Sequence, residues 1–220
     1  MNFYRKEIFP ISIYHSSVED HKRLKSLIMP FINNAIKDRG VDNKPPDGWL
    51  TDNLITSFSD EDVRDSLFNP DNNMGKELRY QFLKVLDSFF LANPWQIDVE
   101  HIWYNYYVNG EWQESHKHLG GLTHAHFAFV YLVSYNPKIH SPLVFNDPLE
   151  THRSISPRLD PNENDGKYFV KAKEGDVIMF PTWLEHHVRP GKPTPNYPRI
   201  SIAMNIKMQR YGDMGSENEG

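Results

Sequence analysis

The hydrophobic pattern of the chain changes period near residue 96. Before it, Leu24, Leu27, Ile28, Phe31, Ile32 and Ala35 recur at helical spacing and predict an amphipathic helix that Gly40 ends. Pro30 lies inside that stripe and is expected to kink or interrupt it. A second stripe, Leu78, Phe82, Val85, Leu86, Phe89 and Phe90, predicts another helix, closed by Asn93-Pro94. Both stripes read as core packing. Residues 41–75 carry Pro45, Pro46, Gly48 and Pro70 among Asp and Asn, and read as irregular loop with short elements. Phe9 to Tyr14 alternates and reads as a short strand.

Beyond residue 96 the chain turns to short β-branched and aromatic runs. These are Ile97 to Val108, Phe127 to Tyr135, Ser141 to Phe145, Lys167 to Ala172, Asp176 to Phe180 and Arg199 to Met208. Asn109-Gly110, Asn136-Pro137, Asp165-Gly166, Gly175-Asp176 and Pro190-Gly191 supply turn signals between them. Many short strands with regular turns predict a sandwich or jelly roll. The polar, Gly-rich tail 211–220 is expected to be disordered.

Charge and composition narrow the function classes. The net charge of −5 argues against a role driven by phosphate contacts, so no nucleic acid is expected as a partner. Cysteine is absent, which removes disulfides, thiolate metal sites and thiol nucleophiles, and fits a reducing cytoplasm. Neither a signal-peptide core nor an apolar run of about 18 residues is present, so no membrane association is expected. There are 11 histidines, and their clustering matters more than their number.

Three clusters carry chemistry. In Glu114-Ser-His116-Lys-His118, strand alternation would turn both imidazoles to one face, where they could meet a metal; two solvated loop histidines are the plainer reading. Gly175-Asp176 through Phe180 delivers His186-His187 into a loop or next strand. Extended neighbours face opposite ways, so only one of that pair can be a ligand. Arg199-Ile-Ser201 sits in an otherwise apolar strand, with guanidinium and hydroxyl on one face. A buried arginine needs an anion. That anion is either a carboxylate ligand or an internal Asp or Glu. His124 and His126 form a competing same-face pair, expected to flank the pocket or sit exposed. His15, His21, His101, His140 and His152 show no partner pattern.

Taken jointly, these pieces resemble the iron(II)/2-oxoglutarate oxygenases of the prolyl-hydroxylase-like type, in particular a bacterial and phage subset with an H-x-H pattern. The resemblance runs over residues 103 to 206. It rests on Trp103-Tyr-Asn105, Gly110, His116-Lys-His118, Val130-Tyr131-Leu132, Leu143-Val-Phe145-Asn-Asp147-Pro148, the Gly175 to Pro190 segment and Arg199-Ile-Ser201-Ile-Ala-Met-Asn205. It implies a mainly β fold with flanking helices (α+β): a double-stranded, cupin-like jelly-roll β-helix over 96–208, packed on a helical support region 1–95 within one domain 1–210. By position it implies His116 and His186 as iron ligands, Arg199 with Ser201 as the grip on 2-oxoglutarate, and a supporting hydrogen bond from Tyr131. The wider family has a carboxylate where this chain has His118. Either His118 is a neutral third ligand, the favoured reading, or it stands behind the metal while water or Asp147 fills the place. The activity implied is hydroxylation of a small-molecule or peptidyl substrate with Fe(II), 2-oxoglutarate and O2, releasing succinate and CO2. A cupin-like three-histidine dioxygenase or isomerase working without 2-oxoglutarate is one rival, and a non-enzymatic jelly-roll binding module is another. Substrate identity and oligomeric state are not legible.

Overall fold

The computed structural model describes residues 10–39, 44–51, 53–89, 95–119, 124–150 and 166–210. The tail 211–220, Gly40, His152 and Asn93-Pro94 lie outside the described residues. Among the described residues, ten strands and three helices follow in the order β1 (Tyr14–Ser17), α1 (His21–Arg39), β2 (Ile55–Thr56), α2 (Glu61–Leu67), α3 (Asn73–Phe89), β3 (Trp95–Tyr107), β4 (Gln113–His116), β5 (Phe127–Ser134), β6 (Leu143–Asn146), β7 (Lys167–Phe169), β8 (Asp176–Pro181), β9 (His186–Val188) and β10 (Arg199–Arg210). A six-stranded sheet, β1-β8-β5-β10-β3-β2, faces a four-stranded one, β4-β9-β6-β7. Every pairing is antiparallel. The mainly β, jelly-roll expectation is borne out.

Alternation along the long strands builds two separate cores. On β10, Ile200, Ile202, Met204 and Ile206 face the helices, together with Phe129, Tyr131 and Val133 of β5. On the opposite face, Ala203 joins Ala128, Val130 and Leu132 in a second cluster with Leu143, Phe145 and Val188 of the smaller sheet. This second cluster is the interior of the jelly roll. The functional side chains share its face of β3 and β10.

Helix α1 runs through Pro30 without interruption. Proline in a helix interior costs roughly 3 kcal/mol through the lost hydrogen bond and the ring clash. Leu24, Ile28 and Ile32 are fully buried against the sheet. At about 1.5–3 kcal/mol each, their burial outweighs that cost. In α3, Leu78, Phe82 and Leu86 are likewise buried at i, i+4, i+8 spacing. One further expectation differs from the fold, and the short elements expected within 41–75 are present. The first strand is Tyr14–Ser17, pairing with β8, rather than Phe9 to Tyr14. The 41–75 loop includes α2, whose first turn Asp60 caps by accepting from the Val63 amide at 3.0 Å.

Candidate active site

Three imidazoles meet at the mouth of the jelly roll. His116 ends β4, His186 begins β9, and the two are direct cross-strand partners. Four residues of β4 (113–116) lie opposite three of β9 (186–188), so a bulge lets both Gln113 and His116 face inward. His118 lies past the end of β4, held by its amide to the Thr182 carbonyl at 2.9 Å. Each ring offers one nitrogen, and these atoms lie within 4.8 Å of one another. Asp147 is outside this cluster; its carboxylate instead accepts from the Leu149 amide at 2.9 Å. His187 points to the other face of β9. His124 and His126 are exposed, and His126 Nδ1 accepts from the Met208 amide at 3.0 Å.

The far nitrogen of each ring is committed. His116 Nδ1 donates to the Glu114 carbonyl at 2.8 Å, His186 Nδ1 to the Leu184 carbonyl at 2.9 Å, and His118 Nδ1 to Asn205 Oδ1 at 2.6 Å. An oxygen acceptor fixes the proton on Nδ1 and leaves Nε2 as a lone pair. The Nε2 atoms of His118 and His186 then face each other at 3.3 Å with no proton to share. A cation between them relieves that repulsion. Burial lowers the pKa of all three rings, and their mutual repulsion adds to it for His118 and His186. His118 falls to about 4 and His186 well below its ordinary value. Three neutral imidazoles with converging lone pairs are a donor set suited to a divalent transition metal.

The wall beside them is a ladder of inward residues on β3 and β10. Asn205 pairs with His101, Ala203 with Trp103, Ser201 with Asn105, and Arg199 with Tyr107. Arg199 is buried, with its guanidinium 4.6 Å from the Tyr107 ring centre. Its Nε and Nη1 atoms have no hydrogen-bond partner, and no acidic side chain pairs with it among the described residues. Trp103 Nε1 and Asn105 Oδ1, also buried, lack partners. Arg199 and Ala203 are four positions apart, about 13 Å along the strand, and the arginine side chain can shorten that gap. A small cleft of about 20 Å³ opens beside Arg199, between Tyr107, His140, Val188 and Thr194. It lies at the arginine end of the ladder, away from the imidazoles.

Tyr131 is not on this wall, which corrects its expected contact with the cosubstrate. On β5 it belongs to the odd-numbered face, which packs on the helices. Its hydroxyl hydrogen-bonds His21 Nδ1 at 2.7 Å, and its ring meets Phe82 edge-on. Val130 and Leu132 face the interior instead. Sequence reasoning also missed Asn205, which orients His118, and Trp49, whose ring stacks on His116 at 6.3 Å. Asn205 shares the face of Arg199 and Ser201, so strand alternation was the available signal. Nothing in the sequence ties Trp49 to the site.

Comparison with known proteins accords with this geometry. No curated protein matches the chain. Among solved structures, a Pseudomonas putida prolyl-4-hydroxylase aligns over 92% of this chain and 94% of its own, at 10% identity and TM-score 0.51. A prolyl hydroxylase from Trichoplax adhaerens, solved with a hypoxia inducible factor oxygen degradation domain peptide fragment, aligns over 88% and 82%, at 12% identity and TM-score 0.56. EctD from S. alaskensis, with 2-oxoglutarate and 5-hydroxyectoine, aligns over 90% and 72%, at 12% identity and TM-score 0.56. These similarities establish a shared fold. Residues 101–205 match the family described as "Putative 2OG-Fe(II) oxygenase", and that span holds all three imidazoles and the whole inward ladder. Over these residues, just under half of the chain, it is similar to the Fe(II)- and 2-oxoglutarate-dependent oxygenases, oxidoreductases that use iron(II), 2-oxoglutarate and O2.

Proposed function

We propose that this chain is a single-domain dioxygenase that hydroxylates a small-molecule or peptidyl substrate, coupled to conversion of 2-oxoglutarate into succinate and CO2. One observation carries the reading: three lone pairs converge at one end of a buried wall whose other end holds an unneutralised arginine. His116, His118 and His186 would hold iron(II) through their Nε2 atoms. When bound, the metal supplies the redox chemistry that lets O2 and the keto acid oxidise a C–H bond.

The chain's own residues do the rest. Arg199 and Ser201 take the distal carboxylate of 2-oxoglutarate, a charge-assisted contact in a site shielded from water. The Arg199 position, stacked on Tyr107, keeps the guanidinium pre-oriented. Asn205 fixes the ring plane and tautomer of His118. Phe180 and Phe145, with ring centres 4.6 and 6.1 Å from His186, keep its side of the site apolar. With three histidines the protein's share of the metal shell is neutral, one charge more positive overall than with a carboxylate, and this favours a dianionic cosubstrate.

The test is anaerobic addition of Fe(II) and then 2-oxoglutarate. The expected result is the weak visible charge-transfer band of a chelated keto acid, followed in air by succinate. A flat spectrum on protein that demonstrably retains iron would reject the reading and favour a three-histidine enzyme that does not use 2-oxoglutarate.

A further inference from the structure

A segment outside the jelly roll lies against the triad on the β4 side. Trp49 stacks on His116, and its ring also meets Phe58 at 5.3 Å. The next residue, Leu50, donates its amide to Glu114 Oε1 at 3.2 Å and leaves its own side chain 75% exposed. Glu114 sits two residues before His116 and supplies the carbonyl that orients that ring. Its second carboxylate oxygen, Oε2, is buried and has no partner. Thr51, beside Leu50, is 2% exposed, and its hydroxyl is also unpartnered. No cationic side chain among the described residues pairs with Glu114; the nearby Lys117 lies 4.0 Å from Glu185 instead. The charge of Glu114 is felt both at His116 and at Tyr107.

A carboxylate oxygen withheld from water is costly unless a donor meets it, and a charged donor compensates best. The segment bonded to Glu114 through the Leu50 amide also carries the Trp49 ring, and an indole face attracts cations. The mechanism leaves this oxygen unused, because Arg199 serves the anionic cosubstrate at the other end of the wall.

We infer that Glu114, with Thr51 and the Trp49 face, recognises a protonated amine on the substrate, so that the oxidised carbon belongs to an amine-bearing molecule. This deepens the oxygenase reading and rests on it. The amine can come from a free metabolite or from a lysyl side chain in a polypeptide, since both present the same ammonium group.

The experiment uses the full chain loaded with Mn(II) and 2-oxoglutarate without O2, so that nothing turns over. Binding is measured by calorimetry for Nα-acetyl-L-lysine amide against Nα-acetyl-L-norleucine amide, and for acetyl-Gly-Lys-Gly-amide against its norleucine counterpart. The expected result is at least ten-fold tighter binding of a lysyl probe than of its neutral partner, with the discrimination falling below two-fold in Glu114→Gln. Preference confined to the amino-acid pair identifies a free amine, and preference in the tripeptide pair identifies a polypeptide. Equal binding of charged and neutral probes, no binding of either, or discrimination that persists in Glu114→Gln overturns the inference. If Glu114→Gln does not fold, the wild-type comparison decides alone. Saturable binding of Mn(II) and 2-oxoglutarate to the wild type, measured first, separates failure here from failure of the oxygenase reading.

Discussion

A histidine can hold a metal only when it is neutral and presents the correct nitrogen, and both conditions are set by neighbours. For His118 the neighbour is Asn205, 87 residues away. Asn205→Leu removes the acceptor and leaves a ring free to rotate. The expected cost is about 10–100-fold in Mn(II) affinity, read by titration, with little change in the fold. Arg199→Ala should raise KM for 2-oxoglutarate more than it changes kcat. Loss of a charge-assisted contact of about 1.5–3 kcal/mol corresponds to roughly 10–150-fold, measurable by succinate formation. Tyr131→Phe separates the two cores: it should leave that KM unchanged and lower stability by about 1 kcal/mol through the lost His21 contact. Protons compete for the same imidazoles. Burial, and then the His116 charge, lower the folded pKa of His118 to about 4, below the ordinary imidazole value of 6.5. The unfolded chain therefore takes up the proton first. Metal-free protein should lose stability as pH falls from about 6.5 toward 4, and thermal melts with and without Mn(II) should converge over the same window.

At the scale of elements, helix α1 is tied to the sheets by polar contacts as well as by its apolar stripe. Glu174 receives His21 Nε2 at 3.1 Å, Lys25 Nζ at 2.8 Å, the Tyr135 amide at 3.2 Å and the Tyr197 hydroxyl. Desolvation pushes its pKa up, but these donors win and hold it near 2. The contribution is present above the ordinary value of 4.5 and is lost as pH falls from there toward 2. Partial exposure screens it, so Glu174→Gln should cost about 1 kcal/mol, a fall of roughly 2–4 °C in Tm that disappears near pH 2. Glu174 was invisible in the sequence because its partners lie on three distant segments. By contrast, the H-x-H motif and the Arg199-Ile-Ser201 alternation were legible, because a strand's period fixes faces locally. Tyr131 was not: FAFVYLVS is apolar on both faces, so its pattern carries no phase, and only the helices packed on one side decide it. Pro30 misled for a related reason, since local propensity yielded to the packing of the flanking turns.

For the whole molecule, the two sheets converge on a point held by β4, β9 and the segment after β4, all at the open end of the sandwich. A metal bridging that end would add a tie between β4, β9 and the segment after β4. Saturation at about 100 times Kd adds about 2.7 kcal/mol, which for a chain of this length is a Tm rise of roughly 5–10 °C, removable by chelation. His186→Ala should lose that rise. The pairing of β3 with β10 also limits how the cavity could be retuned. Inward positions recur only every second residue, so the distance from arginine to metal is quantised in steps of about 6.6 Å. Keto acids that differ by one methylene fall far inside a single step. Selectivity among them must therefore reside in side-chain length, and a switch to a shorter or longer cosubstrate would come from exchanging Arg199 or Tyr107, not from sliding a strand.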